Sequence, residues 1–447
     1  QSNIIFIQQL GRGLRRFEEK EYLTVIDFIG NYQNNFLIPV ALFGDTTYNK
    51  DTLRRLLSSG SAEIPGSSTV NFDEISKKRI FDSISDAKLQ NKRNLVNDYK
   101  LLKYRLGRYP MMIDFLEYKS RDPIQFVEYS KSYLEFINMV ESDFSHDLNP
   151  ISLKLLQTIS RDINNGNSFL EAFILKILCE EKMIYIENLK ERIKKEYLID
   201  LNLDSINSLI NILNLNYFTE VNNAQKIPIG ELYNIEVVKL NAHKISIGSS
   251  LEDALLDIKF KDFLIDSINY SLISFDMKIK RTDYVDGFLR YEKYTRRDIH
   301  RILYWPKEPN HLNIGGYKSS DDKANCPIFV TYKKDENIAD TIKYEDEFIN
   351  NVTLQWFSKQ ARTLKSNDVD EIINSRENNM RLPLFLKKDD NEGSDLYFLG
   401  DLKVDKATLE ETYIQDRKNN KQKPIVKMRM YLDRPIKEDL YKYISEK

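Results

Sequence analysis

The chain has 447 residues and a mass of 52.7 kDa, which is enough for two to four domains of about 100–200 residues each. Its hydrophobic content of 41% excludes a disordered polypeptide, and its balance of 66 basic against 68 acidic residues excludes a uniformly basic nucleic-acid wrapper. Only two cysteines, Cys179 and Cys326, and four histidines are present, which excludes a disulfide framework or a Cys/His zinc cluster. No apolar run reaches the about 18 residues of a membrane span, so we expect a soluble, cytoplasmic protein without a metal site.

The first 45 residues alternate strand-like and helical segments. Ile4–Ile7 is short and β-branched, a basic stretch punctuated by glycines follows, and Tyr22–Gly30 has the apolar density of a buried strand. This order is typical of the edge of an α/β domain. Because the chain opens on Gln1 with no initiator methionine, we expect it to be the C-terminal portion of a longer protein.

Two regions of different texture follow. Residues 46–275 are mainly helical in pattern, with apolar residues recurring at helical spacing, and the stretch near 150–220 is a candidate winged helix. Residues 276–447 contain short β-type runs bounded by turn residues. The strand candidates are 326–332, 382–386, 396–399 and 424–432. The predicted fold class is therefore mixed α and β, in three domains covering residues 1–45, 46–275 and 276–447.

The segment Gln8–Arg16 carries the most specific motif of the chain. If a helix begins here, Gln8, Arg12 and Arg15 are spaced four and three residues apart and share one face. Two guanidinium groups on one face, with glycines that permit close approach, suit a polyphosphate because arginine presents forked donors and stays charged. The alternative interpretation is a solvated basic helix.

This segment resembles motif VI, Q-x-x-G-R-x-x-R, of superfamily 2 helicases. The resemblance implies that residues 1–45 are the end of a second RecA-like domain, in which Gln8 and Gly11 contact ATP. Arg12 and Arg15 would act as arginine fingers of an ATP and Mg²⁺ site that is built mostly by a first RecA-like domain. Since the sequence contains no G-x-x-x-x-G-K-[ST] loop, we expect no ATP or Mg²⁺ bound to this chain alone and no ATPase activity from it.

A second group of residues is typical of a pocket for a single base. Tyr317 follows Gly315-Gly316, where a loop can present it, and Tyr332 ends a strand-like run. Two aromatic faces can stack on both sides of an extruded cytosine, and a carboxylate such as Asp321 or Asp322 can accept a hydrogen bond from its N4 amine. The alternative is that both tyrosines are half-buried residues of a β-barrel.

The same segment resembles the SRA domains that flip 5-methylcytosine, whose pocket has a Gly-Gly-Tyr, a nearby Asp and a second Tyr at a strand end. The resemblance implies an SRA-like or PUA-like β-barrel with Tyr317 and Tyr332 as the stacking residues. The position of the family's acid is occupied by Ser320, so the acid stays open between Asp321 and Asp322.

Two basic clusters are candidates for phosphate contacts. The first lies beside Trp356 and consists of Lys359, Arg362 and Lys365, which recur at every third residue. The second consists of Arg417, Lys418, Lys421, Lys423, Lys427 and Arg429. Phosphate contacts dominate the affinity for a duplex, although a charge run is also typical of a solvated face.

Taken as a whole, the chain from Phe6 onward resembles the C-terminal part of superfamily 2 helicase-type, modification-dependent (type IV) restriction endonucleases with a DUF3427 region. The resemblance implies recognition of duplex DNA containing 5-methylcytosine or 5-hydroxymethylcytosine, with a phospholipase-D-like nuclease and the helicase motor elsewhere in the same polypeptide. Two alternatives stay open. One is a helicase accessory domain that binds DNA or RNA without reading modification, and the other is a protein-interaction module that regulates the motor.

Overall fold

The computed structural model describes residues 24–26, 35–59, 69–87, 91–311, 314–333, 346–390, 392–416 and 421–445. The motif residues Gln8, Gly11, Arg12 and Arg15 lie outside this set, as does most of the predicted RecA remnant. The ATP-site prediction therefore stays a prediction.

Three helices precede the main body of the chain: α1 (Leu37–Phe43), α2 (Lys50–Ser59) and α3 (Glu74–Asp86). Helix α3 begins where the Asp73 side chain accepts hydrogen bonds from the backbone N–H groups of Ile75 and Ser76, both at 3.0 Å. Leu53 and Leu57 of α2 pack against Ile80 and Ile84 of α3 in a small core of their own. The spacing of four residues in each pair places both side chains on one helix face.

A larger helical body follows. Its helices are α4 (Lys92–Leu106), α5 (Met112–Glu117), α6 (Ile124–Ser130), α7 (Tyr133–Val140), α8 (Pro150–Thr158), α9 (Leu170–Glu181), α10 (Ile186–Tyr197), α11 (Leu203–Leu213), α12 (Ile229–Tyr233), α13 (Ser249–Ala254) and α14 (Ile258–Ile279). A π-helical turn over Ile159–Ile163 extends α8. The 22-residue α14 packs against α5, α8 and α9, so it runs through the centre of this body.

Short strands interrupt the second half of the helical body. They are β1 (Met183–Tyr185), β2 (Thr219–Asn222), β3 (Gln225–Pro228), β4 (Val238–Asn241) and β5 (Lys244–Ile247). Strands β2 and β3 form a hairpin, whereas β1, β5 and β4 form an antiparallel sheet in that order. Apart from β2, β3 and α12, the chain here runs through α9, β1, α10, α11 and the hairpin of β4 and β5, and β5 lies in the middle of the sheet.

The C-terminal region is built on one seven-stranded mixed sheet, and residues 284–289 form a separate two-stranded sheet. Its elements are β6 (Tyr284–Val285), β7 (Phe288–Leu289), β8 (Lys293–Tyr294), α15 (Arg296–Ile302), β9 (Ile328–Lys333), β10 (Glu347–Phe348), β11 (Thr353–Phe357), α16 (Asn367–Ile373), β12 (Pro383–Asp389), β13 (Leu396–Asp416), β14 (Lys421–Leu432) and α17 (Glu438–Ser445). The pairing order is β10-β11-β14-β13-β12-β9, with β8 on β13 and with β9 and β12 parallel. All four strand candidates fall on strands, and the mixed α and β class is confirmed.

The C-terminal sheet curls until its two end strands meet. Tyr332 of β9 stacks on Phe348 of β10 with ring centroids 5.9 Å apart, and the Phe348 backbone N–H donates to the Tyr332 hydroxyl at 3.4 Å. The curled sheet encloses a core that includes Tyr317, Trp356 and Tyr443. Tyr332 thus closes the seam between strands at opposite ends of the pairing order.

The helical body and the C-terminal region share one continuous hydrophobic core. Phe288, Tyr294, Ile299, Phe329 and Phe385 belong to the same buried cluster as the helices. Across the described ranges, no helix has both the length and the apolar character needed to cross a bilayer. The two regions meet along α15 and one face of β9, and this meeting place forms a cleft.

Candidate nucleic-acid interface

Tyr317 is part of the core and is not presented from a loop, so that expectation from the sequence is wrong. Its ring is only 1% exposed. Tyr317 pairs with Ile328 in an antiparallel bridge, and the Phe329 N–H donates to the Gly316 carbonyl at 2.7 Å. The Gly-Gly-Tyr segment therefore lies against β9, with a bend at Gly316 and a bridge at Tyr317, and the Tyr317 ring is buried in the core.

The surroundings of Tyr317 leave no space for a base. The Lys359 ammonium lies over the ring, 4.3 Å from its centroid, and donates to the Tyr317 carbonyl at 2.6 Å. The Trp356 ring lies 5.2 Å away on the core side. The Tyr317 hydroxyl donates to Asp368 at 3.1 Å; burial, together with this carboxylate, raises the pKa of Tyr317. Base contact by Tyr317 or Trp356 stays a prediction and would require this core to open.

The two candidate acids lie in a turn whose residues 321–324 are exposed and whose ends, Ser320 and Asn325, are buried. Asp322 accepts hydrogen bonds from the Ser320 hydroxyl and, at 3.0 Å, from the Ala324 N–H, so its carboxylate holds the turn. Asp321 is exposed. None of these described contacts places the carboxylate of Asp321 or Asp322 beside the ring of Tyr317 or Tyr332.

The first basic cluster lies at the surface beside this core. Arg362 donates to Asp368 at 2.7 Å, and this hydrogen bond raises the pKa of Arg362. Lys365 is exposed, whereas Lys359 is half-buried and burial lowers its pKa. In the second cluster Lys427 pairs with Glu410 across the strands at 3.4 Å. Arg417 and Lys418 lie outside the described residues.

A cleft with a volume of about 740 Å³ lies between the helical body and the sheet. This volume is in the range of small-molecule sites, about 300–1,000 Å³. Side chains of α6, α14, α15, β9 and β12 line it. Its basic side chains are Arg161, Lys278, Lys293, Arg296, Arg297 and Lys387. Its acidic side chains are Asp122, Glu128, Asp162, Asp298, Glu308 and Asp395.

Strand β9 separates this cleft from the core that holds Tyr317. Ile328 and Val330 pack in that core and Tyr332 packs against it, while Phe329 and Thr331 line the cleft and Val330 borders both spaces. Successive side chains of a strand point to opposite faces, so one strand forms a wall of both spaces. The alternation of residues 328–332 was readable from the sequence, but the sequence could not show which face meets an open space.

Arg296 lines the cleft and has no ion-pair partner among the residues that the structure describes. Its guanidinium carbon lies 4.4 Å from the centroid of the Phe329 ring, and one N–H donates to the Ile314 carbonyl at 3.0 Å. Arg161, Lys278, Lys293, Arg297 and Lys387 each lie within 4.0 Å of a carboxylate. Arg296 has no carboxylate partner among the described residues, and desolvation lowers its pKa. A half-buried guanidinium without a counter-ion is able to pair with an anionic ligand that enters the cleft.

Two carboxylates that line the cleft also lack a basic partner within ion-pair distance in the described chain. Desolvation, aided by the charges of Asp122 and Asp395, raises the pKa of Glu128 to about 7. Desolvation likewise raises the pKa of Asp395, whose Oδ1 accepts from the Ser394 hydroxyl at 3.0 Å. These groups offer acceptors, or a proton when neutral, to a ligand that reaches them.

A buried ion network fixes α15, the helix that carries Arg296. Arg301 is fully buried and pairs with Glu171 of α9 and, at 3.0 Å, with Asp298. Asn165 and Asn167 donate their side-chain amides to Asp298 at 3.0 and 3.1 Å. Because these bonds join α15 to the helical body, they hold one wall of the cleft against the other. Sequence reasoning missed this network, since Asn165, Asn167 and Glu171 lie about 130 residues before Asp298 and Arg301 in the chain.

Two family models match adjoining parts of the chain, one on each side of this cleft. Residues 288–444 match DUF3427, described as a domain of unknown function, and residues 95–278 match DUF8090, also described as a domain of unknown function. No curated protein sequence matches the chain.

Two solved structures are similar to parts of the chain. One, "Sulfur binding domain and SRA domain of ScoMcrA complexed with phosphorothioated DNA", is 7% identical over 62% of this chain and 90% of that chain, with a TM-score of 0.25. The other, "Structure of the Type IV phosphorothioation-dependent restriction endonuclease ScoMcrA", is 8% identical over 73% of this chain and 64% of that chain, with a TM-score of 0.24. Similarities this weak define neither the fold nor the function of the chain.

Proposed function

We propose that the chain is the DNA-reading part of a type IV restriction-type enzyme and that it binds duplex DNA containing a modified cytosine. The observation that carries the proposal is Arg296, a half-buried guanidinium that lies on Phe329 in the cleft and has no carboxylate partner in the described part of the chain. A nucleotide is a ligand that matches it, because arginine binds phosphate oxygens in a bidentate manner and also stacks on bases.

The rest of the cleft suits the base of that nucleotide. Glu128 and Asp395 carry the acceptors that the N4 amine of cytosine needs. A cleft of about 740 Å³ admits one extruded nucleotide with bound water. The sequence suggested Tyr317 and Tyr332 as stacking residues. Tyr332 lies on β9 and Tyr317 pairs with Ile328 of β9, so we propose that both support β9 from its core side. The proposed pocket is thus the opposite face of β9.

The helical body is proposed to couple this reader to the rest of a larger enzyme. The order of elements from α9 to β5, with β1-β5-β4 as the sheet, supports a winged helix interrupted by β2, β3 and α12. Its α11 faces the C-terminal region, since the Asn211 amide donates to the Pro306 carbonyl at 2.7 Å. We further propose that the larger enzyme contains a nuclease and a motor. The arginine fingers Arg12 and Arg15 would complete the ATP and Mg²⁺ site of that motor.

The proposal is tested by the affinity of the chain for a short duplex with one 5-methylcytosine. Replacing Arg296 by Gln removes a charge-assisted contact worth about 1.5–3 kcal/mol, so affinity should fall roughly 10- to 150-fold. The control is Arg192→Gln, which removes an exposed arginine paired with Glu181 and should leave affinity unchanged. Equal affinities for both variants and the wild type would place DNA elsewhere.

Base extrusion is read separately with 2-aminopurine placed beside the modified cytosine. Its fluorescence should rise on binding to the wild type, because the neighbouring stack is broken when the cytosine leaves the duplex. Tyr317→Phe serves as the matched variant, since it removes only the hydroxyl that donates to Asp368 and should keep the rise. A rise that depends on the Tyr317 hydroxyl would favour the core face of β9 over the cleft.

A further inference from the structure

Helix α2 places a carboxylate on one of the cations of the cleft. The Asp51 Oδ2 atom lies 2.8 Å from the Lys293 Nζ atom, and the two side chains are 8% and 11% exposed. The same carboxylate accepts from the Gly393 N–H at 3.2 Å. Lys293 lines the cleft, and a second carboxylate, that of Glu392, lies 3.6 Å from its ammonium. Of these two carboxylates, Asp51 is the nearer.

The two carboxylates on Lys293 belong to different parts of the chain. Glu392 is held inside the C-terminal region, where it accepts from the Tyr443 hydroxyl at 2.6 Å. Asp51 comes from α2, which precedes the helical body. The other oxygen of Asp51 accepts from Arg54 of the same helix at 3.3 Å. Asp51 therefore keeps a cationic partner on its own helix when it leaves Lys293, whereas Glu392 stays beside Lys293.

The segment that carries Asp51 also contacts the wall of the cleft formed by the helical body. The Asp122 N–H donates to the Thr46 carbonyl at 2.9 Å, and Asp122 lines the cleft. The segment thus contacts both the helical body and the C-terminal region. A movement of one wall relative to the other therefore acts on the contact between Asp51 and Lys293.

We propose that Asp51 occupies, on Lys293, the position of a phosphate group of bound DNA, so that α2 inhibits the cleft until DNA displaces it. A lysine ammonium binds a phosphate as a point charge and attracts a carboxylate in the same way, so the two anions compete. DNA that binds once Asp51 has left shifts the population of the chain towards the displaced state. The inference rests on the proposed function, since it requires that the cleft binds DNA.

The test is the affinity for the duplex with one 5-methylcytosine, measured by fluorescence anisotropy. Asp51→Asn keeps the size of the side chain and removes its charge, so affinity should rise about 10-fold, the value of one charge-assisted contact. The rise should disappear in Asp51→Asn/Lys293→Gln, because the freed ammonium is then gone. The control is Asp439→Asn, which removes an equal charge 3.8 Å from Arg55 of the same helix and should keep the wild-type affinity.

Hydrogen exchange of the wild-type chain gives a second readout that needs no variant. DNA binding should raise the amide exchange of α2, because the helix leaves the wall of the cleft. Unchanged or lower affinity of Asp51→Asn, or unchanged exchange in α2, would overturn the inhibition and leave the proposed function in place. A rise in affinity for Asp51→Asn without any effect of Arg296→Gln or of cytosine modification would keep the inhibition and overturn the proposed function instead.

Discussion

The buried Arg301 pair offers a quantitative test of how the cleft is held together. Arg301 has no exposed surface, and its guanidinium is shared between Glu171 and Asp298. Arg301→Met would leave two buried carboxylates without their cation. Asp298 keeps two amide donors and the Thr295 hydroxyl at 3.0 Å, whereas the donor that Glu171 keeps among the described residues is the Ser168 hydroxyl at 2.6 Å. Breaking a buried pair from one side costs about 3–5 kcal/mol, so we expect a loss of that size in the free energy of unfolding.

Urea unfolding followed by far-UV circular dichroism measures this loss. The matched control is Arg192→Met, whose pair with Glu181 is 45% and 43% exposed and should contribute less than about 1 kcal/mol. In the double variant Glu171→Gln/Arg301→Met the uncompensated charge of Glu171 is gone, so roughly 1–3 kcal/mol should return. Equal losses for Arg192→Met and Arg301→Met, or a double variant less stable than Arg301→Met, would refute this reasoning.

Two further predictions concern the two faces of β9. Since the folded-state pKa of Glu128 is raised to about 7 from 4.5, the native protein holds this proton more tightly than the unfolded chain, and the free energy of unfolding should fall as pH rises between these values. In urea titrations between pH 5 and pH 8, the free energy of unfolding of Glu128→Gln should fall less with rising pH than that of the wild type. Identical pH profiles of the two proteins would count against this prediction. Tyr317→Phe should cost about 1 kcal/mol of stability, and Tyr317→Ala about 3–5 kcal/mol, because the ring is core. A stable Tyr317→Ala variant that no longer binds DNA would show instead that the ring contacts a base.

The C-terminal strands were predictable because their pattern is local. The run 326–332 and the run 424–432 are rich in β-branched and aromatic residues and are bounded by turn residues, which is enough to predict strands. Their pairing was not predictable, since β9 lies beside β12 and at the far end from β10 in pairing order. The seam between Tyr332 and Phe348 is therefore a property of the folded sheet.

The candidate site was only partly predictable for the same physical reason. The sequence drew attention to the segment around Tyr317 and Tyr332, and this segment does border the cleft. It could not show that the bridge between Tyr317 and Ile328 buries the Tyr317 ring. It also gave no sign that Arg296 would meet Phe329, because that contact joins a helix to a strand more than 30 residues later. Long-range contacts of this kind are set by packing and leave no periodic signal.

The central claim is that the cleft reads a modified cytosine, and matched duplexes that differ only at one cytosine C5 test it most directly. In a shaped pocket one methyl group is worth about 1–3 kcal/mol, so the wild type should bind the 5-methylcytosine duplex roughly 10- to 200-fold more tightly than the unmodified one. Equal affinities would contradict the claim and favour a DNA-gripping domain that does not read modification. An absence of binding to either duplex at moderate salt would favour a protein-interaction module.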